Sequence, residues 1–278
     1  MQYSTIDLHC HSLASDGELS PARVVERAVD NGVTLLALTD HDTIAGQSEA
    51  MRRAQQLGAN TVSGIELSCL WRGYAIHVLG YHFSLTDGLM QDFQQKQTRV
   101  RLERAQQISD ILMKKGLPDF FEAARSLTES GVPGRPHFAE AMIARGVVRN
   151  YGEAFKKYLG AGKAGDVKSG WPDLSQVVDC IHSAKGSAVI AHPRKYKMSL
   201  TRLRELIVDF KELGGEGIEV VVSGRKQGEI GLLCDLCQRF QLKGSVGSDF
   251  HTTRFPWADL GRVPPLPTSV SAIWEDWL

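Results

Sequence analysis

Short apolar runs alternate with amphipathic ones along most of this chain. Seven of the runs are short, rich in apolar or β-branched residues and bounded by turn residues, which predicts buried strands: "TIDLHCH", "TLLALTD", "NTVSGIELS", "AIHVLGYHF", "SAVIAH", "EGIEVVV" and "KGSVGSD". Between most of them the apolar positions recur at helical spacing. "SPARVVERAVDNG" opens with Ser20 as a cap and Pro21 in the first turn, and stops at Gly32. "TIAGQSEAMRRAQQLG", "WPDLSQVVDCIHSAKG", "SLTRLRELIVDFKELGG" and "RKQGEIGLLCDLCQRF" repeat that form. Such alternation predicts an α/β protein of parallel β/α units, closed into a barrel or laid out as an open sheet.

The alternation breaks after Phe83. About eighty residues follow with helical patterns and no convincing strand: the long "DFQQKQTRVRLERAQQISDILMKKG", then "RPHFAEAMIARG" and "YGEAFKKYLG". The expected organisation is a barrel formed by residues 1–90 and 165–278, interrupted by a helical insertion over 91–164 that caps the strand ends. No internal repeat or low-complexity tract is present.

Composition narrows the class. The 278 residues are 42% hydrophobic, but no run reaches the roughly 18 apolar residues of a membrane span. The start, "MQYSTIDLHCH", has no basic and then apolar signal pattern, so a cytoplasmic location and no membrane association are expected. Five cysteines, an odd number without framework spacing, argue against a disulfide scaffold; Cys234 and Cys237 form a CxxC with no second pair and read as helix packing. Formal net charge is zero, which disfavours a chain built to coat a long polyanion. Between Lys96 and Lys168, however, 14 Lys and Arg face 8 Asp and Glu, so a segment of charge +6 is set against a body of charge −6.

Ligand-type residues collect at the strand runs. His9 and His11 share a face of the first, because side chains alternate along a strand. Asp16 follows in the next loop; Asp40, His41 and Asp42 end the second run, and Glu66 stands near the end of the third. His77 lies in the fourth, His192 ends the fifth, Glu219 is in the sixth, and "GSDFH" places Asp249 and His251 at the seventh. Carboxyl ends of strands are where α/β folds gather their sites. Imidazoles and carboxylates together suit Mn, Fe or Zn, and their number exceeds the needs of one ion. His182 and His82 read as packing or surface residues.

"DLHCHSLASDG", "LALTDHDT", "GIELS", "HVLGY", "AHP", "GIEV" and "GSDFH" resemble, in order, the motifs of the polymerase-and-histidinol-phosphatase (PHP) domain. The resemblance implies a distorted seven-stranded β/α barrel holding two to three divalent metal ions, with Mn as the first choice and Fe or Zn as alternatives. It implies His9, His11, Glu66 and Asp249 around one metal, Asp16, His41 and His251 around a second, and His77 and His192 around a third that Glu66 bridges. Asp40 and Asp42 are expected to orient His41, and Glu219 to serve as a supporting residue. The insertion with "GRPHFAEAMIARG" is similar to that of stand-alone PHP phosphoesterases, which include nucleoside 3′,5′-bisphosphate phosphatases and 5′-to-3′ exoribonucleases of the RNase AM type.

The expected activity is hydrolysis of the 3′ phosphoester of a 5′-phosphorylated nucleotide. The substrates are a nucleoside 3′,5′-bisphosphate or short 5′-monophosphorylated RNA, trimming of ribosomal RNA ends included. A water held between the metals is the expected nucleophile, with no protein acid or base assigned. The second phosphate needs its own cations, for which Arg135 and His137 stand first, followed by Lys168, Arg194 and Arg225. Tyr151, Phe155 and Tyr158 read as the core of the insertion rather than as base-stacking groups. No long basic groove with interleaved aromatics is evident, and no obligate protein partner. The rival readings are a small-metabolite phosphatase of the histidinol-phosphatase kind and a non-catalytic PHP module.

Overall fold

The computed structural model describes residues 5–168, 170–224 and 226–277. Each of the seven runs contains a strand, and the third contains two. In chain order the strands are β1 (Ile6–Asp7), β2 (Leu35–Ala37), β3 (Asn60–Val62), β4 (Gly64–Trp71), β5 (Tyr74–Tyr81), β6 (Ser187–Ile190), β7 (Gly217–Val222) and β8 (Lys243–Gly247). They form two sheets, a parallel β1-β2-β3 and a mixed β4-β5-β6-β7-β8. The third run changes sheets at Ser63, whose hydroxyl donates to the Phe83 carbonyl at 2.6 Å.

The expectation of parallel units throughout is corrected at β4 and β5, which pair antiparallel, as do β5 and β6. Only Arg72 and Gly73 connect β4 to β5, both at positive φ (46° and 80°). A two-residue loop of that hand makes a hairpin, whereas a parallel crossover needs a dozen residues or more. The helices of the main body are α1 (Pro21–Asp30), α2 (Gln47–Leu57), α7 (Leu174–Ser183), α8 (Leu200–Glu212) and α9 (Gln227–Phe240), while α3 (Gly88–Lys114), α4 (Phe121–Arg125), α5 (Arg135–Ala144) and α6 (Tyr151–Ala154) fill the stretch without strands. Ser20 and Asp87 cap α1 and α3 by accepting from the N–H groups of Arg23 and Met90.

Backbone hydrogen bonds cross both seams between the sheets. On one side Leu8 N–H donates to the Val246 carbonyl at 3.0 Å and His11 N–H to Phe250 at 2.9 Å; on the other Asp42 N–H donates to the Glu66 carbonyl at 2.9 Å. One apolar cluster joins Leu8, Leu35 and Ala37 of the first sheet region to Leu79, Tyr81 and Val189 of the second. A larger core packs α7, α8 and α9 on the five-stranded sheet. The long α3 serves two cores: Met90 is buried with the main one, while Ala105, Ile108 and Leu112 join Phe120, Phe138 and Leu159 in a separate cluster. Tyr151, Phe155 and Tyr158 pack against that cluster, and Cys234 and Cys237 are buried in α9. Among the described residues no helix is long and apolar enough to cross a membrane.

Candidate active site

Short strands continue as extended segments, and these carry the chemistry. His9 and His11 lie beyond β1, where Cys10 bridges to Phe250 and points its thiol away toward the Ala37 carbonyl. Gly247 allows the close approach, since a Cβ there would fall 2.2 Å from that of His9. His41 pairs with Glu66, but Glu66 is the third residue of β4 rather than near its end, and His77 is mid-strand in β5 opposite Ser68. The hairpin therefore offers its middle to the site, while β6 and β8 offer the residues just after their ends. His192 and Asp249 both sit at positive φ, 26° and 55°, a strained backbone that aims their side chains inward.

All nine expected donors meet. They form four overlapping groups: His11, Asp16, His41 and His251; His9, His192 and Asp249; His9, His11 and Glu66; and His41, Glu66 and His77. Glu66 is the hub. Its Oε1 lies 2.8 Å from His77 Nδ1 and 2.9 Å from His192 Nε2, and its Oε2 lies 3.3 Å from the Nε2 atoms of His9 and His11 and 2.9 Å from His41 Nδ1. The expected grouping shifts at three residues: His192 falls with His9 and Asp249 instead of with His77, His41 also falls with Glu66 and His77, and His11 also falls with Asp16, His41 and His251.

The donors fit divalent cations. His9 Nε2, both nitrogens of His11, His41 Nδ1, His192 Nδ1 and Glu66 Oε2 are buried and make no hydrogen bond of good geometry among the described residues, although His41 Nδ1 and Glu66 Oε2 lie 2.9 Å apart. Each such atom costs about 1–3 kcal/mol unless something fills it, so six together mark a place built for ions. Burial pushes His41, His192 and His251 down to about 3, keeping them neutral as ligation requires. Burial opposes ionisation of Asp16 and Glu66 as well, yet the surrounding imidazoles, His41 foremost, hold both carboxyls below the usual range.

Supporting contacts fix the rings. The His251 Nδ1–H donates to the Asp249 carbonyl at 2.9 Å; a carbonyl only accepts, so Nε2 is left for the centre. Glu219 binds His9 Nδ1 at 2.8 Å and accepts from the His192 backbone N–H at 2.6 Å, from a position where β7 bulges between Glu219 and Val221. Burial alone would lower His9, but Glu219 and Glu66 raise it to about 10. Glu219→Gln is expected to weaken metal affinity by about 10- to 100-fold with the circular dichroism unchanged. Chelator competition reads this, and an unaltered affinity rules the orienting role out.

Asp40 and Asp42 do not orient His41, contrary to expectation. Asp40 accepts from Ser12 N–H, Ser12 Oγ and Ser15 Oγ, all at 2.7 Å, and so folds the loop that delivers Asp16. Asp42 accepts from Ser68 N–H and Oγ, from Gln97 at 2.9 Å and from Arg101 Nε at 2.6 Å, clamping α3 to β4.

A cavity of about 660 Å³ opens from the donors toward the helical segment. Its lining is also cationic, with Arg101, Arg104, Arg135, Lys168, Lys195 and Lys197. Burial, then repulsion from Arg101 and Arg135, pushes Arg104 down to about 9, a cost that a bound anion removes. Arg104 is held by the Val167 carbonyl and lies 4.0 Å from the Trp171 ring. Arg135 begins α5 and among the described residues keeps only long contacts, 3.4 Å to the Leu159 carbonyl and 3.7 Å to Asp166. Of the other expected cations, Lys168 lines the wall and donates to the Gly73 carbonyl at 3.2 Å. His137 instead caps α5, its Nδ1 accepting from Gly134 N–H at 2.9 Å, and Arg194 turns toward Glu229 at 3.9 Å. Neither lines the cavity, and Arg225 lies outside the described residues. Arg101 and Arg104 went unnoticed in the sequence, although their spacing of three does place them on one helix face.

The PHP domain matches residues 7–115. A 5′-3′ exoribonuclease from Haemophilus influenzae is 44% identical over 97% of this chain and 97% of its own length. The chain belongs to the PHP family. Within that family, a 3′,5′-nucleoside bisphosphate phosphatase from Chromobacterium violaceum is 35% identical over 98% of this chain and 96% of its own. A solved structure of an amidohydrolase from Chromobacterium violaceum, with bound sulfate and no metal, shares the fold at a TM-score of 0.92. It is 35% identical and aligns over 98% of this chain and 95% of that one. This PHP protein is accordingly an enzyme, a phosphoric ester hydrolase.

Proposed function

We propose that this enzyme hydrolyses the 3′ phosphoester of 5′-phosphorylated nucleotides. A nucleoside 3′,5′-bisphosphate would yield the 5′-monophosphate, and short 5′-monophosphorylated RNA, ribosomal RNA ends among them, would be shortened from its 5′ end. One observation carries the reading: a single cavity is lined both by residues of the donor cluster and by the cations Arg101, Arg104, Arg135 and Lys168. Two anion stations suit a substrate with two phosphates. The names of the two relatives support the same assignment.

The nine donors would hold two to three divalent ions, Mn²⁺ first. Such ions supply Lewis-acid charge, acidifying water and neutralising phosphoryl oxygens in an in-line displacement. The protein does the rest. Glu219 and the Asp249 carbonyl hold His9 and His251 in one orientation, and the arginine wall takes the 5′ phosphate so that the 3′ phosphorus faces the donors. Phosphomonoester and phosphodiester present the same phosphorus, so both fit if the leaving side is open. The helices over 91–164 act as a cap in this reading, supported by their separate apolar cluster. A distorted seven-stranded barrel, with β3 and β4 counted as one run that changes sheets at Ser63, is the proposed frame, supported by the hydrogen bonds across both seams, and a cytoplasmic location goes with it.

Chromatographic product analysis with Mn²⁺ tests the assignment, using adenosine 3′,5′-bisphosphate and a ribo-pentamer with either a 5′-phosphate or a 5′-hydroxyl. AMP and stepwise 5′-mononucleotides are expected, the latter only with the 5′ phosphate. If all three stay intact while a simple phosphomonoester is cleaved, the nucleotide reading fails.

A further inference from the structure

The loop that delivers His251 runs on to Trp257, and its tip leaves two large rings in water. Phe255 is 43% and Trp257 62% exposed, with ring centroids 4.9 Å apart. No other Phe, Tyr or Trp among the described residues is exposed. The pair is held rather than loose. Glu18 binds Thr252 and the Thr253 N–H, Arg254 reaches Glu140 of α5 at 3.5 Å and the Tyr151 ring at 5.7 Å, and Trp257 Cδ1 lies 3.6 Å from where Gly224 would carry a Cβ. Gly224 follows the carboxyl end of β7, as His192 follows that of β6 and His251 that of β8. The rings therefore occupy the same end of the parallel strands as the donor cluster. Six residues separate His251 from Trp257, a span of at most about 20 Å.

We infer that Phe255 and Trp257 form a stacking platform for the nucleotides of an RNA chain beyond the one held at the donor cluster. Every base has a flat face, so two adjacent exposed rings grip a strand without reading its sequence. Arg254, 54% exposed at its side chain, stands beside them to meet the sugar-phosphate backbone. A nucleoside bisphosphate has no further nucleotide to stack, so it serves as the control substrate. The inference rests on the RNA half of the proposed function and adds a residue-level distinction between its two substrates.

The test compares wild type with Trp257→Ala and Phe255→Ala/Trp257→Ala at saturating Mn²⁺. The expected result is that kcat/KM for a 5′-phosphorylated ribo-pentamer falls about 10-fold while that for adenosine 3′,5′-bisphosphate changes less than about 2-fold, which also shows that the variants fold. Equal losses on both substrates, or none on either, overturn the platform. Fluorescence anisotropy with a cleavage-resistant phosphorothioate pentamer is run beside the kinetics, and a Kd about 10-fold weaker in the variants is expected. Should the wild type cleave neither substrate, the proposed function falls, and an unchanged pentamer Kd would separately overturn the platform.

Discussion

Glu66→Gln is expected to lower kcat/KM on adenosine 3′,5′-bisphosphate by about 10³-fold, equivalent to about 4 kcal/mol of transition-state stabilisation. Glu66 is fully buried and lies within 3.3 Å of five imidazoles, those of His9, His11, His41, His77 and His192. Glutamine keeps the size and removes the charge that neighbouring groups share. An amide nitrogen also replaces one acceptor, so the donor groups on one side of the residue lose a ligand atom. Bound metal per chain, read by mass spectrometry after gel filtration, is expected to fall with the activity. A variant that keeps both full metal content and activity would show that Glu66 is not the hub of the site.

Arg135→Ala is expected to reduce kcat/KM on the bisphosphate about 30-fold, mostly through KM, from the loss of charge-assisted hydrogen bonds worth about 2 kcal/mol. The same variant should change turnover of a nucleoside 3′-monophosphate less than about 3-fold, because that substrate offers no 5′ phosphate to the cationic wall. Arg135 is the informative choice among the arginines. Arg101 is tied to Asp42 and Arg104 to Val167, so their removal also loosens α3 and the strap before α7, whereas the contacts of Arg135 are long. Equal losses on the two substrates would assign Arg135 to the packing of the helical segment instead of to phosphate recognition.

Most of the candidate site was legible because its residues belong to local patterns. His9 and His11 alternate about Cys10, and "DHD" and "GSDFH" stand just past apolar runs, so each donor except Asp16, which was placed in a loop, could be set at a strand before any contact was known. The antiparallel hairpin was less legible, because the runs "NTVSGIELS" and "AIHVLGYHF" leave six residues between them and only the structure extends both strands until Arg72 and Gly73 alone separate them, while the regular β/α rhythm around them suggested a parallel unit. His137 and Arg194 show the opposite failing. Both residue types suit a phosphate, yet His137 completes the first turn of its own helix and Arg194 faces an acidic residue of α9. Those partners lie in local capping geometry and in a distant element, and charge alone names neither.

The sequence by itself determined the apolar runs, the alternation with helices, the interruption after Phe83 and the ligand-type residues at the runs, because period, turn chemistry and residue type act over a few positions, while the choice of nine among those residues rested on the resemblance to the PHP motifs. Tertiary structure alone decided that Asp40 folds the Asp16 loop, that Asp42 ties α3 to β4, that Glu66 stands at the centre of five imidazoles, and that Arg101 and Arg104 line one cavity with the donors. Each of those contacts joins residues from elements far apart in the chain. A helix pattern fixes which residues share a face, but only packing against the rest of the molecule chooses what that face meets.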